Sequence, residues 1–212
     1  MENLGFDAIV WGGTGWNMIW SFGVCQYLLD IGCKTPQKIG VVSGGCMPAL
    51  AFCGAADINL GIVQCNELYE FGDHLFNDRF RIRYRTYLES FAKKDCMQIL
   101  SNYDFYTTHR ALPSFKLQKT NVFKSREEFL DKLVAGCHVP LLFGTNLPYY
   151  EDGNYLIDAI GKKTWWRFPE SKTLVISPTD KTSSNLIGGD LGLLSVVGYR
   201  FKRSDKDLFY AG

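Results

Sequence analysis

Apolar positions in the first quarter of the chain form two short runs, each followed by a longer segment. The run at 6–11 predicts a short buried strand. Apolar residues then recur every three or four positions from 18 to 29, which predicts a helix with one buried face. A second β-branched run at 39–42 predicts another strand, and the small apolar segment 46–53 predicts a buried helix with Pro48 in its first turn. The chain therefore begins in the order strand, helix, strand, helix.

Three later segments continue this pattern. Residues 127–134 predict a helix, and the apolar runs at 155–157 and 173–176 predict two further core strands. Alternation of strands and helices favours an α/β fold with a mostly parallel central sheet and helices on both faces. No internal repeat or long Pro/Gly/Ser linker divides the sequence, so we expect a single domain over 1–212.

Composition narrows the class of protein. The 212 residues are 46% hydrophobic and 21% charged, which excludes a disordered chain and predicts one hydrophobic core. No apolar run is long enough to span a bilayer, and the first residues carry Glu2 without a basic group, so we expect no secretory signal. Seven cysteines occur without CxxC pairs, which favours reduced thiols in the cytoplasm over a disulfide framework or a zinc cluster. We expect no metal and no cofactor.

Charge is concentrated in the middle of the chain. The net charge is only +1, yet residues 79–126 carry 11 basic and 3 acidic side chains together with many aromatic residues. A solvated surface, contact with anionic lipid headgroups, and stacking on single-stranded nucleic acid all remain open. No known nucleic-acid motif occurs, so no nucleic-acid partner is expected. The candidate membrane contacts alternate along the sequence, which would align them on a strand and scatter them on a helix: Arg79, Arg81, Arg83 and Arg85.

Ser43 follows the second predicted strand and precedes two glycines. A serine at a sharp strand-to-helix turn exposes its hydroxyl, as in the nucleophile elbow with the pattern G-x-S-x-G. Here Gly45 supplies the second glycine, whereas Val41 stands at the first position. These five residues leave two interpretations open, a catalytic nucleophile or an ordinary Ser-Gly-Gly turn that caps a helix.

A glycine-rich loop lies between the first strand and the first helix. Glycines allow backbone N–H groups to converge on an anion. A dinucleotide-binding fingerprint would need a further glycine where Met18 stands, and an acidic residue after the second strand, which instead runs into Ser43. An oxyanion hole needs only amides and suits a serine nucleophile one strand away. The candidate oxyanion donors are Gly13, Thr14, Gly15 and Gly44.

A glycine loop, an elbow serine and a later strand that ends in aspartate resemble the layout of the patatin-like phospholipases. The stretch 136–140 (Gly-Cys-His-Val-Pro), followed by Phe143 and Gly144, resembles the branch that includes adiponutrin and adipose triglyceride lipase. The strand that runs into Asp158 resembles the one that ends in the family's catalytic Asp-Gly-Gly.

The resemblance covers roughly residues 8–178 and departs from the family pattern at several positions. The segment 173–178 resembles the strand after the catalytic aspartate, whereas 79–126 matches no named motif and is interpreted as a variable insert. Asp158 is followed by Ala-Ile where the family has glycines. The other departures are Asn17 and Met18 in the oxyanion loop and Val41 in the elbow.

The resemblance implies a three-layer α/β/α sandwich and catalysis by a serine–aspartate dyad without histidine. Ser43 would attack an ester carbonyl while Asp158 accepts its proton. Asp152 is a rival for the acidic role, but it lies in a polar loop rather than at the end of a strand. The three histidines are interpreted as structural or surface residues.

The expected function is hydrolysis of a lipid acyl ester, a phospholipid or a glyceride, by a cytoplasmic protein that contacts a membrane or lipid-droplet surface peripherally. Two alternatives remain open. One is a catalytically inactive domain of the same fold that binds lipid or protein, and the other is a lipid acyltransferase, which differs only in its second nucleophile.

Overall fold

The computed structural model describes residues 5–70, 79–140, 149–159, 166–179 and 186–188. The predictions that rest on Ile160, Phe143 and Gly144 lie outside these ranges. The described strands are β1 (Ala8–Trp11), β2 (Lys38–Val41), β3 (Asp104–Leu112), β4 (Lys116–Thr120), β5 (Tyr150–Glu151), β6 (Asn154–Asp158), β7 (Thr173–Ser177) and β8 (Leu186–Gly188). The described helices are α1 (Met18–Asp30), α2 (Cys46–Phe52), α3 (Ile58–Glu70), α4 (Arg79–Phe91), α5 (Cys96–Leu100) and α6 (Arg126–Gly136).

The predicted alternation of strands and helices is confirmed. Elements β1, α1, β2 and α2 follow one another as expected, and α6, β6 and β7 fall on the later predicted segments. The fold is therefore mixed α/β.

The described strands form one sheet in the order β5-β6-β3-β2-β1-β7-β8, with β4 also paired to β3. Strand β1 lies inside the sheet, parallel to β2 and β7, and the pairs β2–β3 and β7–β8 are parallel as well. Strands β4 and β6 run antiparallel to β3. The central sheet is thus mostly parallel, and its antiparallel pairs lie at the β3 side.

Strand β3 has two neighbours along one of its edges. Thr107 pairs with both Val41 of β2 and Thr120 of β4, so β2 and β4 lie on opposite edges of β3. His109 likewise pairs with β4 and with Asp158 of β6, so β4 and β6 lie on opposite edges. It follows that β2 and β6 share one edge of β3, and that β6 runs toward the carboxyl end of β2.

The two faces of the sheet are covered differently. Ile9 and Trp11 of β1 join a buried cluster to which all six described helices contribute, whereas Ala8 and Val10 face the opposite side. On that side Trp166 and Phe168 pack against the sheet. This alternation of neighbouring residues between faces is the two-residue period of a strand buried on both sides.

The basic segment 79–126 is built into this architecture. It contributes α4, α5, β3 and β4, and β3 connects β2 to β6. Tyr84, Leu88 and Phe91 of α4 are buried in the helix-side cluster. Their spacing of four and three residues places them on one helical face, so packing determines the conformation of this segment despite its charge.

The described part of the chain contains no helix that is long and apolar enough to cross a membrane. All seven cysteines lie within the described ranges, and none of them forms a disulfide bond.

Candidate active site

Ser43 occupies a sharp turn between β2 and α2. Val42 is extended, Ser43 has a φ of 52°, and a 3₁₀ turn over Ser43–Gly45 leads into the helix. A positive φ costs a non-glycine residue roughly 1–3 kcal/mol, so it persists only where the surroundings enforce it. The other described non-glycine residues with positive φ, Phe115 and Asp152, lie in hairpin turns where this conformation is common. Ser43 therefore has the strained strand-to-helix geometry of a nucleophile elbow.

The two glycines after Ser43 are required by close contacts with the first loop. A Cβ on Gly45 would collide with the backbone carbonyl oxygen of Trp11, and one on Gly44 would collide with the Thr14 hydroxyl and lie 2.9 Å from Met18 Cγ. The amide of Val42 also donates to the Trp11 carbonyl at 3.0 Å. The elbow is thus packed directly against the end of β1 and the start of α1.

Val41 occupies the first elbow position as a core residue. Its side chain is 3% exposed within the helix-side cluster. The tight approach falls one residue earlier, where a Cβ on Gly40 would lie 3.1 Å from Val10 Cγ2 and 3.2 Å from Phe168 Cζ. The departure from G-x-S-x-G is therefore compatible with the observed turn.

The candidate oxyanion loop lies beside the serine. A Cβ on Gly13 would be 3.5 Å from Ser43 Cβ, so the space over Gly13 adjoins Ser43. Gly15 has a φ of 49° at the start of the short turn that leads into α1, and the buried Thr14 donates its hydroxyl to the Gly15 carbonyl. In the elbow itself the amides of Gly45 and Cys46 donate to Val42 and Ser43 carbonyls. The amide of Gly44 precedes both, at the position where a helical turn offers its N–H groups outward.

Asp158 is the last residue of β6 and approaches the elbow along the shared edge of β3. It lies level with His109, two residues beyond the level of Val41, which corresponds to about 7 Å along the strand. Ser43 also stands two residues beyond Val41. Asp158 is 4% exposed, and its amide donates to the His138 carbonyl at 2.9 Å. The fold therefore places both candidate residues at strand ends along the same edge of β3.

A buried tyrosine joins the start of α2, just after Ser43, to the end of α6, where the His138 carbonyl accepts from the Asp158 amide. Tyr84 Oη lies 3.1 Å from Cys46 Sγ in the first turn of α2, and Cys137 Sγ, after α6, donates to the same oxygen at 3.3 Å. Burial raises the pKa of the Cys137 thiol, and the negative charge of Asp158 raises it further. The Cys137 thiol is thus a protonated packing group rather than a reactive nucleophile, and Cys46 is buried beside it. The sequence carried no signal for this contact, because it joins residues far apart in the chain.

The rival aspartate and the histidines have different environments. Asp152 is exposed in the turn between β5 and β6, with a φ of 48°. His109 is buried with Nε2 2.7 Å from the Lys132 carbonyl oxygen, and burial lowers its pKa to about 4, so its ring is neutral. His138 is also buried, and its carbonyl orders the Asp158 backbone.

Lys132 is a buried cation that links α6 to the strand before Asp158. Its ammonium lies 2.9 Å from carboxylate oxygens of Glu128 and Glu151. Burial acts to lower the pKa of Lys132, but the bonds to Glu151 and Glu128 raise it above the usual range. This charged group stabilises the position of the β5–β6 hairpin, and hence the end of β6, against α6.

The four arginines proposed as membrane contacts lie on helix α4, where alternate positions scatter around the axis. Arg83 is exposed, whereas Arg85 donates to Asp131 at 2.7 Å and contacts Glu89 at 3.3 Å. The side chain of Arg79 lies outside the described part of the structure. These alternate positions therefore do not share one face of α4, as they would on a strand.

Within the described ranges, no group of three His, Cys, Asp or Glu side chains is arranged to hold a metal ion. Comparison with models of protein families and with curated proteins finds no match to the chain.

Proposed function

We propose that this protein is a serine hydrolase of lipid acyl esters that uses Ser43 and Asp158 as a catalytic dyad. The observation that carries the proposal is the strained Ser43 turn beside the end of β6, where the buried Asp158 lies. A backbone outlier held at a strand end is typical of functional sites. The proposed fold is the patatin-like three-layer sandwich, supported by the mostly parallel sheet and its helix-covered face.

In the proposed reaction, Ser43 Oγ attacks the ester carbonyl carbon and Asp158 accepts the hydroxyl proton. The carbonyl oxygen becomes an oxyanion, which the amides of Gly44 and the Gly13–Gly15 loop stabilise. One such donor contributes about 2.7–4 kcal/mol. The intermediate collapses to an acyl-serine, and the departing alkoxide takes the proton from Asp158. Water then attacks the acyl-serine in the same way and releases the acid.

Lipid esters are proposed as substrates because of the resemblance of the motif order to patatin-like phospholipases. The same chemistry with an alcohol in place of water would be acyl transfer. An inactive domain of this fold would keep the turn but lack a reactive serine, and this alternative is the one that labelling tests.

The first prediction concerns Ser43. A fluorophosphonate probe should label the protein, and Ser43→Ala should abolish both the labelling and the hydrolysis of a nitrophenyl ester. The melting temperature should change little, because alanine keeps the Cβ of Ser43 and removes only the hydroxyl group. Ser101→Ala, which alters an exposed serine, is the matched control and should retain label and activity. Full activity of Ser43→Ala in a clean preparation would refute the proposal.

The second prediction separates the two aspartates. Asp158→Asn removes the proposed base but keeps the shape, so kcat should fall by roughly 10²–10⁴. Asp152→Asn is a matched control, because asparagine tolerates the positive φ of that turn. It should retain the parental kcat. If Asp152→Asn is the damaging change instead, the assignment of the base is wrong.

A further inference from the structure

Three exposed aromatic side chains lie together at one end of the sheet. Phe115 is 60% exposed in the turn between β3 and β4, and Tyr150 and Tyr155 are 61% and 43% exposed on β5 and β6. Tyr150 pairs with Tyr155, and their ring centroids are 4.8 Å apart. Tyr155 in turn lies level with Leu112, the residue at which β3 enters the Phe115 turn. A group of exposed aromatic side chains is typical of an interaction surface.

This aromatic end projects beyond the candidate active site on the same side of the sheet. Strand β2 ends level with Thr107, whereas β3 continues for five more residues to Leu112. At about 3.3 Å per residue the hairpin extends about 17 Å past the end of β2. Asp158 and Tyr155 belong to the same five-residue strand. A surface bound by the aromatic end would therefore lie at the end of the sheet that carries the Ser43 turn and Asp158.

Two basic side chains flank the Phe115 turn of the aromatic end. Arg110 donates to the Phe115 carbonyl at 2.9 Å, and Lys116 follows Phe115 directly and is exposed. Asp152 is the acidic residue of the neighbouring turn, while the Glu151 carboxylate is engaged by Lys132. Aromatic rings beside basic side chains match an anionic lipid interface, where rings occupy the headgroup level and cations meet phosphates.

We propose that this aromatic end, formed by Phe115, Tyr150 and Tyr155 with Arg110 and Lys116, is the surface by which the protein docks on anionic lipid membranes. The inference rests on the proposed function for its choice of a lipid partner. It replaces the α4 arginines as the docking surface, because Arg85 is engaged with Asp131 and Glu89 and the helix scatters the others.

The experiment measures docking without catalysis. Full-length Ser43→Ala protein is sedimented with vesicles of phosphatidylcholine, alone or mixed with phosphatidylserine. The test variant adds Phe115→Asn, Tyr150→Thr and Tyr155→Thr, substitutions chosen because asparagine accepts the positive φ of the turn and threonine suits a strand. The control carries Val122→Thr and Tyr27→Gln, which remove exposed apolar side chains elsewhere. A second test variant carries Lys116→Gln, with Lys124→Gln as its control.

The aromatic variant should lose at least about tenfold in partitioning to the mixed vesicles, and its control should bind like the parent. Lys116→Gln should weaken binding to the mixed vesicles and leave binding to the neutral vesicles unchanged. Unchanged binding of the aromatic variant, or loss of binding only when Arg79, Arg81, Arg83 and Arg85 become Gln, would overturn the proposal. Failure of the folded parent to bind either vesicle would also overturn the proposal.

Failure of docking and failure of the proposed function are distinguishable. Sedimentation uses protein that lacks the proposed nucleophile, so it does not depend on catalysis. With Ser43 restored, the aromatic variant should hydrolyse a soluble ester at the parental rate. Loss of that activity would place these residues in the fold or the active site and would contradict a docking role.

Discussion

At the scale of single residues, three glycines at the candidate site have different neighbours. Gly45 lies against backbone oxygens of the first loop, which cannot move without displacing β1, whereas Gly44 lies against side chains. Gly13 has room for a methyl group at ordinary contact distance, but that space adjoins Ser43. We therefore expect a side chain at position 45 to impair folding and a side chain at position 13 to impair catalysis.

This difference gives a prediction for two alanine variants. Gly45→Ala should lower the free energy of unfolding by about 1–3 kcal/mol or more, because overpacking against backbone is not relieved by a rotamer change. Gly13→Ala should unfold at nearly the parental denaturant concentration but lose much of its kcat, since the added methyl group would crowd the space beside Ser43. Urea unfolding and ester hydrolysis measured on both variants check this. Equal loss of stability in the two variants would show that the contacts were misjudged.

At the scale of elements, the sequence predicts the strands and helices whose hydrophobic pattern is complete within a short segment. The strands and helices around the glycine loop and the elbow have clear apolar periodicity, and Asp158 was recognisable as a residue at a strand end. Strand β3 was missed because its nine residues mix buried threonine and histidine with exposed Asp104, so no clean alternation of apolar and polar residues appears. Helix α4 was hidden by alternating arginines, although Tyr84, Leu88 and Phe91 carry the helical spacing.

The candidate site depends most on a feature that periodicity does not encode. The Ser43 turn and Asp158 lie along the same edge of β3 because β2 and β6 share that edge, and this follows from the registers of Thr107 and His109. Register is determined by pairing over the whole sheet, with β4 occupying the opposite edge. Sequence motifs therefore named the two residues, while the unpredicted strand explains why both lie along one edge of the sheet.

At the scale of the whole molecule, charged and titratable groups are buried on the helix-covered side of the sheet. Lys132, its two glutamate partners and His109 lie at the junction of α6 with β3 and the β5–β6 hairpin. Lys132 provides both the ammonium bound to the glutamates and the carbonyl that contacts the histidine ring. The stability of this junction should therefore respond to pH.

The last prediction concerns that response. Burial lowers the pKa of His109 from 6.5 to about 4, opposed by its contact with the Lys132 carbonyl and assisted by the Lys132 charge. Between about pH 6.5 and pH 4 the unfolded chain binds a proton at this residue and the folded protein does not, so stability falls as the pH is lowered through this range. At 1.36 kcal/mol per pKa unit, the loss amounts to about 3 kcal/mol by pH 4 and is absent above about pH 7.

Urea unfolding at pH 7.5 and at pH 4.5 measures this loss. His109→Gln cannot titrate, so it should be less stable than the parent at pH 7.5 but should lose less stability on acidification. Protonation of partly buried carboxylates such as Glu128, whose pKa the Lys132 bond lowers, also destabilises the folded protein in acid, and it does so equally in both proteins. The difference between the two pH responses therefore isolates His109, and parallel responses would show that its ring is already protonated, or solvated, in the folded protein.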